Sequence, residues 1–421
     1  KGTQFLRRAM PTITKETMYD ILVIGNGLIG SAAAKYLSGT DLKVVIAGPL
    51  EPTDWASHSG VFASHYDEGR ITRMLDPDPL WAELARRAIH AYPEIERESG
   101  LQFFQPGGCL KVAPDTPQFA ELHASLESVR KRLNLTTCES LRSAELQDRF
   151  PYFALSGHAG MLESGTAGHI SPRALVQAQT RIAQKRGATL VSSYVERLEV
   201  NTESVTAWCA SGEQLQAKRV LVSSGAFSNG VLPTPLDFEV QLRIVLFAEL
   251  DEAEAARLQD MPDVIQGFAN HPTLRDVYVL PPIRYPDGTN LLKIGGEPHR
   301  PRIPSNQDEL KAWFRTGDCP EEVDPLKAAL FALIPDLRAT AFHSKPCVLT
   351  YTPTNRPYLD TVVPERLFVA AGGCGLSAKS SDAIGHLAAQ LTHRSGWETP
   401  AGSLLCPEAF RIPKILETKA A

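Results

Sequence analysis

The stretch YDILVIGNGLIG, residues 19–30, limits the possible folds more than any other part of the chain. An apolar, β-branched run of strand length opens into Gly25-Asn26-Gly27-Leu28-Ile29-Gly30, and the SAAAKYLS that follows has helical composition. DLKVVIA, at 41–47, reads as a second strand. A Gly-x-Gly-x-x-Gly pattern carries weight only between a strand and a helix within a unit of about 30 residues, and it has that setting here. Gly25 allows the tight turn, Gly27 lets a pyrophosphate approach the backbone, and Gly30 lets helix and strand pack closely. The anion would rest against the free N–H groups of the helix, flanked by Leu28 and Ile29. One expected feature is missing. The acidic residue that commonly ends the second strand and holds a ribose hydroxyl falls at Gly48, and the nearest carboxylate is Glu51.

Further along, GHISPRALVQAQTRIAQKRGATL predicts a helix started by Ser171 and Pro172 and ended by Gly187. An alternating region follows, with a turn at Ser211-Gly212, and leads into the buried strand RVLVSSG, a meander returning to a central sheet. Residues 237–300 alternate apolar and polar positions, as expected for an antiparallel sheet with one wet face. EEVDPLKAALFALIPDL and SSDAIGHLAAQLTHR predict two further helices, and CVLTYTPT and RLFVAAGG two further strands. Nucleotide-fold pieces at both ends and in the middle, with β-rich pieces between them, imply two discontinuous lobes. The expected boundaries are 19–100, 168–236 and 341–421 for the nucleotide lobe, and 101–167 and 237–340 for the β-rich substrate lobe. Residues 1–18 read as a tag-like, disordered start.

Bulk properties exclude several classes of function. With 43% hydrophobic and 22% charged residues and a net charge of −5, nothing suggests a nucleic-acid footprint. No apolar run approaches the roughly 18 residues that span a bilayer. No secretory signal is visible, and seven scattered cysteines without a CxxC or Cys/His cluster argue for a reducing cytoplasmic compartment and against zinc. One residue stands out. Lys379 lies in AAGGCGLSAKSSDAIG, among small residues at the junction of a buried strand and a helix, and demands a negative partner.

Six ordered blocks carry a resemblance: YDILVIGNGLIG, SHYDEGRITR, RVLVSSGAFSN, NLLKIGGEPH, PCVLTYTPTNRPYLD and AAGGCGLSAKSSDAIG. Over residues 19–395 the chain resembles the glycine oxidase / D-amino-acid oxidase superfamily of FAD enzymes, and within it the monomeric sarcosine oxidase-like amine oxidases. The resemblance implies an α/β fold: a Rossmann-like, glutathione-reductase-type FAD lobe beside an antiparallel substrate lobe. It implies FAD at Gly25, Gly27 and Gly30, at Ser64 and His65, at the Val195 backbone, at Gly225, and at Gly373 and Gly375. Cys347 would carry the flavin as a thioether. Arg70 would lie close to the flavin ring, Lys293 would assist the reaction with oxygen, and Arg73 and Lys379 would bind a substrate carboxylate. The sequence departs from that family at Tyr66, Glu297 and Leu349, where two histidines and an aromatic residue are usual.

These implications compete with plainer readings. Arg70 and Arg73, three apart, would also suit a solvated helix face paired with Asp67 and Glu68. Lys293 at a strand end is by default a surface lysine, Cys347 and Cys374 are small buried groups, and Tyr278 fits a core as well as a pocket. The activity implied is oxidation of the C–N bond of an amino acid or N-substituted amino acid, with O2 reduced to H2O2, in a monomer or small homo-oligomer. The rivals are a flavin dehydrogenase with another acceptor, a 2-hydroxy-acid oxidase and a non-catalytic flavin-binding protein.

Overall fold

The computed structural model describes residues 17–317 and 319–413. Most of the tag-like start therefore lies outside the described residues, and its last residue, Met18, already belongs to a strand. The strand Met18–Ile24 is central to an eight-stranded sheet, paired in parallel with Val44–Ala47 on one side and Gln214–Val222 on the other. Four of its seven residues are fully buried, because helices cover one face and the meander packs on the other. The helices Leu28–Leu37, Pro172–Lys185 and Ser381–Arg394 pack together on the first face. Ser171 caps the second of these by accepting from the Ala174 N–H, and Gly187 follows it with φ +95°, as its sequence predicts.

A second eight-stranded sheet holds the β-rich half. Its order runs from Ala341–Tyr351 through Glu239–Leu250, Asn290–Pro298, Leu274–Arg284, Asp263–Gly267, Cys109–Pro114 and His158–Glu163 to Cys138–Leu141. Two expectations change here. Ala341–Tyr351, assigned from sequence to the nucleotide lobe, pairs along its whole length with Glu239–Leu250 in this second sheet. Alternation also suggested one wet face, yet Gln241–Ala248 is buried at every position. Helices Gln307–Thr316 and Pro320–Leu333 cover one side of that sheet, and the other side roofs an internal cavity. A small third sheet, Arg70–Thr72 with Gly168–Ile170 and Phe104–Gln105, joins the two halves. The long helix Pro79–Ser99, capped by Asp78 and ended by left-handed Gly100, packs its apolar stripe into the first core.

Candidate active site

The glycine turn is shaped by two close approaches. A Cβ on Gly25, where φ is +103°, would sit 2.5 Å from the Ser223 carbonyl oxygen, and one on Gly30 would sit 1.8 Å from that of Gly25. Neither position tolerates a side chain. Gly27 differs: its nearest neighbour would be His65 Nδ1 at 4.0 Å, because it faces open space. Gly27 also starts the helix Leu28–Leu37 without a side-chain cap, and the first turn holds no acidic residue. The free N–H groups there are open to an anion.

That space is a cavity of about 870 Å³ between the two sheets, toward the upper end of the roughly 300–1,000 Å³ typical of small-molecule and cofactor sites. Gly25, Gly27, Leu28 and Ile29 form one end of its wall, with Val195 and Gly225 nearby. Ser64, His65, Arg70 and Cys347 line it further along, as do Gly373, Gly375 and Lys379. Gly30 is absent from the wall, its place being between helix and strand. His65 is buried, its Nδ1 has no hydrogen-bond partner, and burial, with Arg173 and Arg70 adding to it, pushes its pKa to about 3. A neutral imidazole therefore lines the cavity, with its unpaired Nδ1 buried.

The missing acid at position 48 has a steric cause. A side chain at Gly48 would strike the Asn26 backbone nitrogen at 2.5 Å, so the turn itself forbids an acid there. Glu51 is engaged by Arg173 at 2.7 Å and does not line the cavity. The carboxylate on that part of the wall is Glu196, beside Val195. Sequence reasoning passed over it.

Two buried ion clusters lie beyond the glycine turn. In the first, Asp67 Oδ2 receives Lys293 Nζ at 2.6 Å and pairs with Arg70, while its Oδ1 accepts from the Tyr285 hydroxyl at 2.7 Å. Lys293 also donates to the Gly69 carbonyl at 2.7 Å. It is 0% exposed, so the surface reading fails, but its ammonium is turned to Asp67 behind the cavity wall. Burial, reinforced by Arg70, pushes Lys293 down to about 8 against the pull of Asp67. Burial acts to raise Asp67, but Lys293 and Arg70 hold it far below the usual carboxylate range.

In the second cluster Lys379 Nζ donates to Asp76 Oδ2 at 2.7 Å, and Arg73 reaches the same oxygen at 3.2 Å. Arg73 and Lys379 do converge on one cavity, as the resemblance implies, yet the anion between them belongs to the protein. This corrects the expectation that Lys379 meets only a substrate. Asp76, which sequence reasoning passed over, sits three residues after Arg73; that spacing was its only signal. Burial opposes its charge, but Lys379 and Arg73 hold it at about 2. Lys379 is itself pushed down by burial to about 8. Arg73 Nε keeps an N–H without a partner. The segment is neither a helix nor solvated: Arg70–Thr72 is a strand, and Glu68 pairs with Arg173.

The second sheet supplies the opposite wall. Arg243 meets Glu297 at 2.9 Å, and the Tyr351 hydroxyl donates to Glu297 at 3.2 Å. Tyr278 lies over Gly295, where a Cβ would touch its hydroxyl at 2.4 Å, so this tyrosine belongs to the pocket. Leu349 lines the cavity in place of an aromatic, with Tyr351 two positions on, whereas Tyr66 turns away and donates to the Leu50 carbonyl. Cys347 is a free thiol on the wall, and all six other cysteines are free too. No cluster able to hold a metal ion occurs among the described residues, nor any helix long and apolar enough to cross a membrane.

Monomeric sarcosine oxidase from Bacillus sp. (strain NS-129) is 27% identical over 388 residues, covering 89% of this chain and 93% of that protein. N-methyl-L-tryptophan oxidase from Yersinia pestis (strain Pestoides F) is 23% identical, covering 88% and 94%. Among solved structures, the open form of NikD, described as an unusual amino acid oxidase essential for nikkomycin biosynthesis, superposes with a TM-score of 0.73 at 18% identity, covering 93% of this chain and 97% of that one. The uncapped N–H groups behind Gly27, open to the cavity, suit a ligand that carries a pyrophosphate. The family model described as FAD dependent oxidoreductase matches residues 20–391, and the chain belongs to that family of FAD enzymes.

Proposed function

We propose that this protein oxidises the C–N bond of an amino acid or N-substituted amino acid. FAD, when bound, would supply the two-electron acceptor for a hydride released by the substrate, with O2 as the final oxidant and H2O2 as the product. In this reading Gly25, Gly27 and the helix behind them hold the pyrophosphate. Val195 and Gly225 serve the adenosine end, while Ser64, His65, Arg70, Gly373 and Gly375 flank the flavin end. Cys347 is the point of thioether attachment.

The observation that carries the proposal is the meeting of Arg73 and Lys379 on the wall that also holds the glycine turn. Two cations share one internal carboxylate, which leaves a surplus positive charge for a substrate carboxylate. Arg offers a planar fork and Lys a compact charge, a combination suited to fixing a carboxylate in one orientation. Positioning of this kind contributes several kcal/mol to rate. The amine must be neutral to release the hydride, and a dry pocket lowers its pKa. Activity therefore rises with pH through the bound amine's pKa. Lys293 contributes from behind the wall, through Asp67 and Arg70, by holding positive charge near the site of oxygen reduction.

The test is anaerobic titration of the yellow protein with N-methyl and primary amino acids, followed by peroxide measurement in air. Bleaching by an amine but not by the matching hydroxy acid, with peroxide formed on aeration, supports the proposal. A flavin that no amino acid bleaches ends it. Acid precipitation of the same sample tests Cys347: a yellow pellet is expected from the native chain and a colourless one from Cys347→Ser.

A further inference from the structure

Three buried or half-buried lysines approach the substrate end, and they are not equivalent. Lys293 and Lys379 each have a carboxylate at 2.7 Å or closer. Lys111, on the strand Cys109–Pro114, lines the cavity, yet among the described residues its ammonium has no ion pair or hydrogen bond. Register shows why it points inward. Lys111 lies opposite Ile265, which lies opposite Tyr278, and both neighbours are wall residues. Side chains paired across a sheet leave it on the same face, so Lys111 leaves on the cavity side.

The charges near it do not cancel at contact distance. Arg73, Lys379 and Lys111 face Asp76, whose Oδ2 is already shared by the first two. Burial and Arg73 push the Lys111 pKa down, while Asp76 and Asp276 pull it up, so all four groups sense one another. Asp276 also faces the cavity, but it forms no ion pair with Lys111. A substrate α-carboxylate would use the surplus charge of the Arg73–Lys379–Asp76 cluster and leave Lys111 with only the longer-range pull of Asp276 and no contact partner. A half-buried ammonium that faces the cavity without a contact partner is placed to take a second ligand anion.

Building on the amino-acid reading above, we propose that Lys111 is a specificity-determining residue that binds a second carboxylate of the substrate. The substrate class is then a dicarboxylic amino acid or an N-carboxyalkyl amino acid, held at one end by Arg73 and Lys379 and at the other by Lys111.

The test compares N-methyl-L-aspartate and iminodiacetate with N-methyl-L-leucine in the wild-type holoenzyme and in Lys111→Met and Lys111→Arg. The wild type favours the dicarboxylates in kcat/KM by at least about tenfold, the size of one charge-assisted contact. Lys111→Met loses that preference mainly through KM while keeping its rate on N-methyl-L-leucine, and Lys111→Arg restores it. Thermal stabilisation of the holoenzyme by malonate, succinate and glutarate, with acetate as reference, reads binding independently of turnover. Equal losses on both substrate types overturn the proposal, as does preference for a cationic N-methyl-L-lysine, which would assign the wall to Asp276. Oxidation of amines with an indifferent Lys111→Met sinks the second-carboxylate site alone. Dicarboxylate stabilisation lost in Lys111→Met, without oxidation of any amine, keeps the site and sinks the amino-acid oxidase reading instead.

Discussion

Asp67-Arg70 and Arg73-Asp76 are two acid–arginine pairs of equal spacing in one short segment, yet they make opposite kinds of site. Each pair clasps a distant lysine, Lys293 from the second sheet or Lys379 from the entry to the last helix. The first cluster is closed. Asp67 accepts from Lys293, Arg70 and Tyr285, and Lys293 spends a further proton on a carbonyl. The second is open. Asp76 is shared between two cations, and among the described residues Arg73 Nε and the Lys111 ammonium have no partner. A buried ion pair costs little when every lone pair and proton is satisfied, and it recruits a ligand when some are not. The closed cluster therefore holds the segment against the second sheet, and the open one has positive charge left over for a ligand.

The sharpest way to break this contrast is Asp67→Ala. It strands a fully buried Lys293 and should cost about 3–5 kcal/mol of stability in denaturant unfolding, whereas a loss near that of a surface residue would mean the first cluster anchors nothing. Next in size, Lys293→Met should slow reoxidation of the reduced enzyme by O2 roughly a hundredfold and leave reduction by substrate nearly unchanged. Equal slowing of both halves would restrict Lys293 to the fold. Asp76→Asn probes the open cluster: freeing two cations should tighten a monocarboxylate inhibitor such as acetate about tenfold, or ~1.4 kcal/mol, with weaker binding showing that Asp76 orients the cations more than it competes for them.

The smallest expected effect is on pH. Lys379 sits at about 8 in the fold against an ordinary 10.5, so it is charged below that value and neutral above it. Affinity for acetate should fall as pH rises through about 8, and Asp76→Asn, which removes the stabilising anion, should move the fall to lower pH. Stability follows the opposite trend. Folding displaces protons from Lys379 and Lys293 between about 8 and 10.5, so these two groups add stability as pH rises across that window.

Much of this was legible in the chain before any coordinates. The glycine turn, the helix after Ser171 and the meander into Gln214–Val222 follow from local signals, because turns, caps and alternation act over a few residues. The position of Ala341–Tyr351 did not: a strand rich in apolar residues suits either sheet, and only its pairing with Glu239–Leu250 decides. The helix Pro79–Ser99 is absent from the sequence reading although Asp78, Pro79 and Gly100 mark its ends.

The sequence by itself determined that a nucleotide turn opens the fold, which family the chain belongs to, and many of the residues that line one cavity. Only the tertiary structure decided who pairs with whom: that Lys379 meets Asp76, that Lys293 turns behind the wall to Asp67, and that Lys111 has no ion pair among the described residues. The reason is range. Local conformation is set by neighbours in the chain, but a buried charge answers to whichever group lies within a few ångströms, and that distance exists only once the two sheets have closed on each other.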